Sequence, residues 1–317
     1  MRRAAAVLAA LPLLFPAAPA AAVPAQAAPA AVTWTVQPAG QAGPDGRRWI
    51  ERTLDPGQRV TEHLAVRNLG DATAVFTLKA ADGYLTAKGR FNMLPSDRPS
   101  TDGGTWIDVP SEVHVEPGRT SVVPFTITVP PDAIPGDHPA GIAASIAGKQ
   151  GTVQVESRVG FRVLLRASGT LRPSLTTDEI RLSYARSWHP WRPGTLNIAY
   201  RVTNDGNARL DVTSRVHGTT TPLGELLPGG TREVQTRAGG VWALGRMTTT
   251  VTLIPTVVGE TTPRDPFTVT TTTWVIPWPQ LVVVLAVALL ILAWRLRRRR
   301  LAALLERARE EGRRSTA

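Results

Sequence analysis

The chain has 317 residues, carries a formal net charge of +11 and contains no cysteine. The missing cysteines exclude disulfide bonds, thiolate zinc sites and thiol catalysis, so any exported domain must rely on an ordinary hydrophobic core. The charge does not indicate nucleic-acid binding, because the first three residues contribute +2 and the segment from Trp274 onward contributes +6.

The N-terminus has the composition of a secretory leader. Arg2 and Arg3 precede an apolar run that reaches Ala18, and two A-x-A patterns follow, the second ending at Ala27. A cationic start, an apolar stretch too short to span a bilayer and a small-residue cleavage site are typical of a cleaved signal. We predict a signal peptide at 1–27 and a low-complexity linker at 28–32.

A second apolar segment lies near the C-terminus, at 274–294, and contains no charged residue. Its length matches a bilayer core of about 30 Å, and tryptophans stand at both of its edges. A cluster of arginines follows at once, which predicts by the positive-inside rule that the tail at 295–317 is cytoplasmic. We therefore expect a single-pass type I protein of the cell membrane, with its ectodomain outside toward the cell wall. The tail either forms a short helix on anionic lipid or is simply solvated.

Between these ends, short segments alternate apolar and polar residues and are separated by Pro-Gly and Asn-Gly turns. This period of two is typical of half-buried antiparallel strands. The fold class predicted is all-β, with two tandem immunoglobulin-like β-sandwiches at 33–168 and 169–273 followed by one transmembrane helix at 274–294. The strands that end at Asn68 and Asn204 have similar sequences and are followed by similar turns, which suggests an internal repeat. We attribute the repeated Asn and Gly to the positive φ that a sharp turn requires and that these residues tolerate. The stretch 268–273 is either the last strand or a stalk, and its alternation favours the strand.

The first half resembles the peptidoglycan-binding domain of the WxL-interacting protein family of Gram-positive cell surfaces. The matching residues are Trp49-Ile50, Leu54 to Gly57, Val66 to Asn68, Ala80 to Gly83, Gly104 to Ile107, Val129 to His138 and Ala140 to Ser145. The resemblance covers about 130 residues, and the second half is similar in architecture only. It implies that the first sandwich binds peptidoglycan, another cell-wall polymer or a surface protein carrying WxL-type modules.

Catalytic motifs are scarce. The sequence contains no nucleophile elbow, S-x-x-K pair, H-E-x-x-H helix or P-loop, and we predict a non-enzymatic protein without cofactor or metal. Asp82, Asp102 and Asp108 occur in loop and strand-edge contexts where acids usually serve turns. Asp137 and His138 follow a turn that can present both side chains to a ligand, although a hydrogen-bonded turn is the preferred interpretation of this pair.

Tryptophans provide the other candidate ligand contacts, because flat indoles bind the apolar faces of sugars. Trp188 and Trp191 lie at the interdomain junction or in the first loop of the second domain, and packing of the domain interface is the competing interpretation. Core packing is expected for Trp49 and Trp106. Arg158, Arg162 and Arg166 lie on an outer strand face that suits anionic polymers. The candidate ligand-binding residues are Asp82, Trp106, Asp137, His138, Trp188 and Trp191.

Two functions follow as hypotheses. The first is a membrane-anchored bacterial surface protein whose outer sandwich binds peptidoglycan or a wall-associated protein. The second is a structural stalk or a chaperone-like assembly partner that donates or accepts an edge strand from another secreted protein.

Overall fold

A computed structural model describes residues 33–150, 153–242 and 245–314. The predicted signal peptide and linker lie outside these residues. The described part consists of two β-sandwiches followed by one long helix, which confirms the all-β class with a terminal apolar helix.

The first sandwich contains eleven strands and one 3₁₀ turn at Gly103–Trp106. The strands are β1 (Trp34–Gly40), β2 (Gly43–Pro44), β3 (Ile50–Leu54), β4 (Arg59–Asn68), β5 (Ala74–Leu85), β6 (Phe91–Met93), β7 (Ile107–Asp108), β8 (Glu112–Val115), β9 (Thr120–Thr128), β10 (Gly136–Gln150) and β11 (Val153–Ala167).

These strands form two facing sheets. One has the order β2-β1-β4-β9-β7, and the other has the order β3-β11-β10-β5-β6, with β8 also paired to β5. The pairing of β3 with β11 is parallel and the remaining pairs are antiparallel. The core between the sheets contains fully buried Phe76, Leu64, Ile127 and Ile142. Alternation along each strand places these side chains on the inner face, where their burial stabilises the sandwich.

The second sandwich has seven strands and its own core around Leu196, Ile198, Leu210 and Leu253. One sheet has the order β12-β13-β16, and the other has the order β15-β14-β17-β18. The strands are β12 (Leu175–Ala185), β13 (Gly194–Asn204), β14 (Leu210–Val216), β15 (Thr219–Leu226), β16 (Thr231–Val241), β17 (Gly245–Val257) and β18 (Phe267–Val275). The Thr-rich segment is therefore a strand, paired with β17 along its whole length.

The helix α1 (Trp278–Arg314) begins later and ends later than the sequence predicts. Trp274 belongs to β18, where it pairs with Arg246, because the β17 ladder continues to this point. Prolines at 277 and 279 then flank the first helical residue, where a missing amide proton costs little. The basic tail continues the same helix through Arg314. This helix is long and apolar enough to cross a membrane.

The repeated asparagines at the ends of β4 and β13 have a different role from the one expected. Asn68 and Asn204 are fully buried and neither has a positive φ. The side-chain amide of each donates to two backbone carbonyls, those of Ala72 and Val115 for Asn68, and equivalent carbonyls for Asn204. Each carboxamide oxygen also accepts the backbone amide of the glycine two residues later. The two turns are thus held by the same buried hydrogen-bonding side chain.

Candidate functional site

Asp82 organises a loop. Its carboxylate accepts backbone hydrogen bonds from Thr101 at 2.7 Å, from Asp102 at about 3.1 Å and from Gly104 at 2.7 Å. The residue therefore holds the start of the 3₁₀ turn, which fits the turn chemistry expected for these acids. Asp82 and Asp102 are close in space, but Asp108 lies on the outer side of β7.

His138 and Asp102 form a charged pair beside Trp106. The Nδ1 atom of His138 lies 2.5 Å from the Asp102 carboxylate, and its Nε2 atom lies 2.7 Å from the carbonyl oxygen of Ile134. Both partners are acceptors, so both ring nitrogens must donate, as only the imidazolium does. Burial disfavours that charge, but the bonds to Asp102 and Ile134 outweigh it, and the pKa of His138 is raised above its usual value. Trp106 is buried, and its ring centroid is 4.3 Å from that of the imidazole.

Asp137 faces away from His138, into the junction between the sandwiches. Its buried carboxylate accepts two bonds of 2.8 Å from Arg166, one of 2.6 Å from the backbone amide of Arg209 and one of 3.2 Å from the Arg209 side chain. Burial alone would raise the pKa of Asp137, but these bonds and the two positive charges lower it. Arg209, also buried, further contacts Glu51 and Glu225. The predicted pair Asp137–His138 is thus divided between two separate internal networks.

The two exposed tryptophans lie in the first loop of the second domain, one of the two positions predicted for them, and the competing interpretation that they pack the domain interface is wrong. Trp188 and Trp191 occupy the β12–β13 loop, and they are 85% and 70% exposed. The junction is formed at the opposite end of the second sandwich, where Asn207 bonds to Pro135 and Arg209 bonds to Asp137. Antiparallel strands of this length separate the two ends, so the loop cannot pack on the first sandwich.

Trp49 also departs from expectation, because it is 38% exposed rather than in the core. It precedes the first residue of β3, outside the sheet, and the guanidinium of Arg162 lies 4.8 Å from its ring centroid.

The three outer-face arginines all make contacts within the protein. Arg158 donates to the carbonyl of Leu94 and Arg166 to Asp137, while Arg162 contacts Glu225.

The main feature that sequence reasoning missed is an open sheet edge on β11. β10 pairs with β11 over its whole length, but β3 covers the other side of β11 only from Val163 to Ala167. From Val155 to Arg162, that outer side has no hydrogen-bonded neighbour among the described strands. An unpaired strand presents a row of free N–H and C=O groups to solvent, which can pair with another chain.

The side chains along this open edge alternate. Val155, Val159 and Phe161 pair opposite β10 residues 148, 144 and 142, whose face is continuous with the core. Phe161 is buried, whereas Val155 and Val159 are 38% and 37% exposed, because the opposite sheet does not cover this part of the hairpin. An apolar strip, interrupted by the exposed Ser157, therefore extends from the core along the free edge.

A cleft of about 420 Å³ lies against the edge at Gly160. It is lined by apolar Val36, Phe91 and Phe161 and by the cations Arg48, Arg158 and Arg162. Gly160 allows β10 and β11 to lie close together, because a Cβ there would lie 2.3 Å from the Ile142 carbonyl oxygen. The geometry suits an extended, partly apolar peptide carrying negative charge.

Within residues 33–150, 153–242 and 245–314, no group of three or more His, Asp or Glu side chains has the geometry of a metal site.

No family model matches the chain, and no curated protein matches it significantly. Solved structures do show a similar fold. A class 5 fimbriae chaperone, CfaA, is 10% identical with a TM-score of 0.34 and covers 77% of this chain and 100% of its own. The E. coli chaperone DraB is 12% identical with a TM-score of 0.36, covering 76% and 98%. A chain from the Salmonella enterica SafA pilin–SafB chaperone complex is 10% identical with a TM-score of 0.36, covering 77% and 99%. At these sequence identities and TM-scores, the similarity supports no statement about function.

Proposed function

We propose that this protein is a membrane-anchored assembly partner that binds an extended segment of another exported protein along the open edge of β11. The observation that carries the proposal is the unpaired stretch from Val155 to Arg162, with its apolar strip and adjacent cationic cleft. Backbone hydrogen bonds of an added strand supply affinity, and pockets for alternate side chains supply specificity. This is the strand-accepting form of the second hypothesis.

The edge has only part of the usual protection against strand addition, which comes from the charged residues Glu156, Arg158 and Arg162. Exposed edges are normally shortened or blocked by Pro, Lys or a covering loop. Here the open stretch contains no proline, and its valines point to the core side. The arginines beside it favour an incoming segment with acidic residues and disfavour pairing with a second copy of the same cationic edge.

Anchoring is part of the same proposal. α1 is apolar from Leu281 to Trp294 and exposes those side chains, and five arginines follow between 295 and 300. A helix of this kind is stable when lipid surrounds its apolar half. We propose that it crosses the membrane once, with the arginines on the cytoplasmic side and both sandwiches outside.

The test is site-specific photo-cross-linking in native membranes. A photoreactive amino acid replaces exposed Ser157 on the edge, alone and together with Val159→Arg, which places a charge in the apolar strip. We expect one dominant protein adduct, joined through an extended segment of the partner, and at least tenfold less adduct with Val159→Arg. Val75→Arg is the matched control, because Val75 is similarly exposed but lies on β5, where it pairs with His114 of β8.

Digestion of the cell wall before irradiation separates the two hypotheses. Strand addition predicts an adduct that survives wall removal. An adduct that disappears with the wall, or that Val159→Arg leaves unchanged, contradicts the proposal.

Peptidoglycan binding by the first sandwich stays a proposal drawn from the family resemblance. Within the described residues, its candidate contacts Asp82, Trp106, Asp137 and His138 are engaged in internal bonds or packing. Sedimentation of residues 33–275 with purified cell wall tests it, and an ectodomain that stays in the supernatant at low and moderate salt refutes it.

A further inference from the structure

The β12–β13 loop is a compact, exposed turn with two indoles at its surface. The backbone amide of His189 donates to the Ser187 hydroxyl, and the amide of Arg192 donates to the carbonyl of His189. The ring of Trp191 lies edge-on to that of His189, with centroids 5.8 Å apart. The loop is thus held by its own bonds, and yet Trp188 and Trp191 are among the most exposed large apolar side chains of the molecule. Such a patch marks an interaction surface.

The position of the loop identifies the surface it faces. The side-chain amide of Gln280, in the first turn of α1, donates to the carbonyl of Pro190 at 2.9 Å. The loop therefore lies level with the start of the apolar helix. Strand pairings Gly194–Val241 and Gly245–Val275 bring the neighbouring strand ends to the same end of the sandwich.

Three further indoles and three arginines share this end. The indoles of Trp242, Trp274 and Trp278 are all exposed. The segments 185–194, 241–246 and 274–280 contain no acidic residue and include exposed Arg186, Arg192 and Arg246. The opposite end of the same sandwich carries acidic residues in its turns, among them Asp205, Glu260 and Asp265.

We propose that this end of the second sandwich docks on the headgroup region of the bilayer that α1 crosses, with Trp188 and Trp191 inserted among the lipids. Indoles concentrate at the membrane interface because their rings are apolar and their N–H groups remain able to donate a hydrogen bond. The arginines are placed to meet anionic headgroups. The proposal rests on the anchoring part of the proposed function, because only a membrane-inserted α1 places lipid against this loop.

The experiment uses the full chain in nanodiscs with and without anionic lipid. Because the protein has no cysteine, single substitutions accept an environment-sensitive fluorophore without background. Labels are placed at His189→Cys in the loop, at Thr261→Cys in an exposed turn at the opposite end, and at Val287→Cys inside α1. Lipids that carry a nitroxide near the headgroup or deep in the acyl chain are then added. Each nitroxide quenches only the fluorophores that lie at its own depth in the bilayer.

The expected result is at least twofold quenching at position 189 by the headgroup nitroxide, stronger with anionic lipid, and none at 261. Adding Trp188→Ala and Trp191→Ala should abolish the quenching at 189, and both side chains are exposed, so the fold is retained. Quenching at 287 by the deep nitroxide without any at 189 overturns the docking proposal but leaves the anchor. Absence of quenching at 287 refutes the anchor itself. A blue-shifted label at 189 that no lipid quenches shows a protein contact and overturns lipid docking.

Discussion

Buried asparagine side chains, rather than asparagines at positive φ, hold the turns that follow β4 and β13. Asn68 and Asn204 show this most clearly, since each satisfies two carbonyls and one amide that would otherwise be unpaired inside the protein. The sequence showed the repeated Asn and its position. It did not show the cause, because turn statistics do not distinguish an asparagine that adopts positive φ from one that donates from its side chain.

His138 yields a pH-dependent prediction at the same scale. Its pKa is raised in the folded state, so its contribution to stability is complete below the unfolded value of about 6.5 and is lost as the pH rises through the folded pKa. We expect His138→Gln to lower the free energy of unfolding more at pH 5.5 than at pH 8.5. Urea unfolding at the two pH values measures the difference.

His114→Gln is the control for that measurement, because His114 is exposed on β8. It should change stability little at either pH. Equal destabilisation by His138→Gln at both pH values would show that the imidazole acts by packing against Trp106 rather than by charge.

At the scale of elements, period-two alternation was sufficient to predict several strands, among them β13 and β14. The alternating burial of β13 and β14 follows the sequence residue by residue. The pattern failed at β10, where the run from Ala140 to Ala144 is apolar on both faces. Its outer face is covered by Met93 in a small separate cluster, so alternation is lost. The open edge of β11 could not be predicted for another reason, because the sequence of one strand does not specify which strands pair with it.

The loop that precedes β7 gives the prediction at this scale. Asp82→Ala removes the acceptor for the backbone amides of Thr101, Asp102 and Gly104. Water can replace it at exposed Thr101, but the part-buried amides of Asp102 and Gly104 are left without a partner, at a cost of about 1–3 kcal/mol. Their hydrogen exchange should accelerate about tenfold or more, while exchange in β10 stays slow.

Asp108→Ala provides the comparison, because Asp108 is an exposed acid on β7 a few residues away. In Asp108→Ala, the backbone amides of Thr101, Asp102 and Gly104 should exchange at the same rate as in the parent protein. Unchanged exchange in Asp82→Ala would mean that the loop is held by its packing and not by the carboxylate.

At the scale of the whole molecule, one buried ion-pair network joins the two sandwiches. Asp137 and Arg166 come from the first sandwich and Arg209 from the second, with Glu51 and Glu225 completing it. Backbone bonds reinforce the junction, since the amide of Asp137 donates to the carbonyl of Asn207 at 2.7 Å. Sequence analysis could not predict this site, because the five residues are scattered along the chain and each resembles an ordinary surface charge.

Asp137→Asn should destabilise the ectodomain by about 3–5 kcal/mol, because it leaves two guanidinium groups without their buried partner. The pKa of Asp137 is lowered on folding, so this contribution is present above the unfolded pKa of about 3.9 and is lost as the pH falls through the folded pKa. The difference between parent and variant should therefore shrink on acidification. Chemical unfolding of residues 33–275 at pH 7 and at pH 3 measures it.

Exposed Asp132 lies in the same Pro-rich turn, and Asp132→Asn is the matched control. It should have no more than a small effect. A gap between parent and Asp137→Asn that stays constant with pH would contradict the assigned role of the carboxylate.

The parallel pairing of β3 with β11 has a consequence for the order of events during synthesis. Ile50 finds its partner Val163 only after nearly the whole first sandwich has been made. Non-local pairings of this kind slow folding, because the chain must close a long loop before any bond forms. Until β3 pairs, the whole outer side of β11 has no hydrogen-bonded neighbour among the described strands, so under the proposed function a partner strand that arrives early would compete with β3 for the same backbone groups.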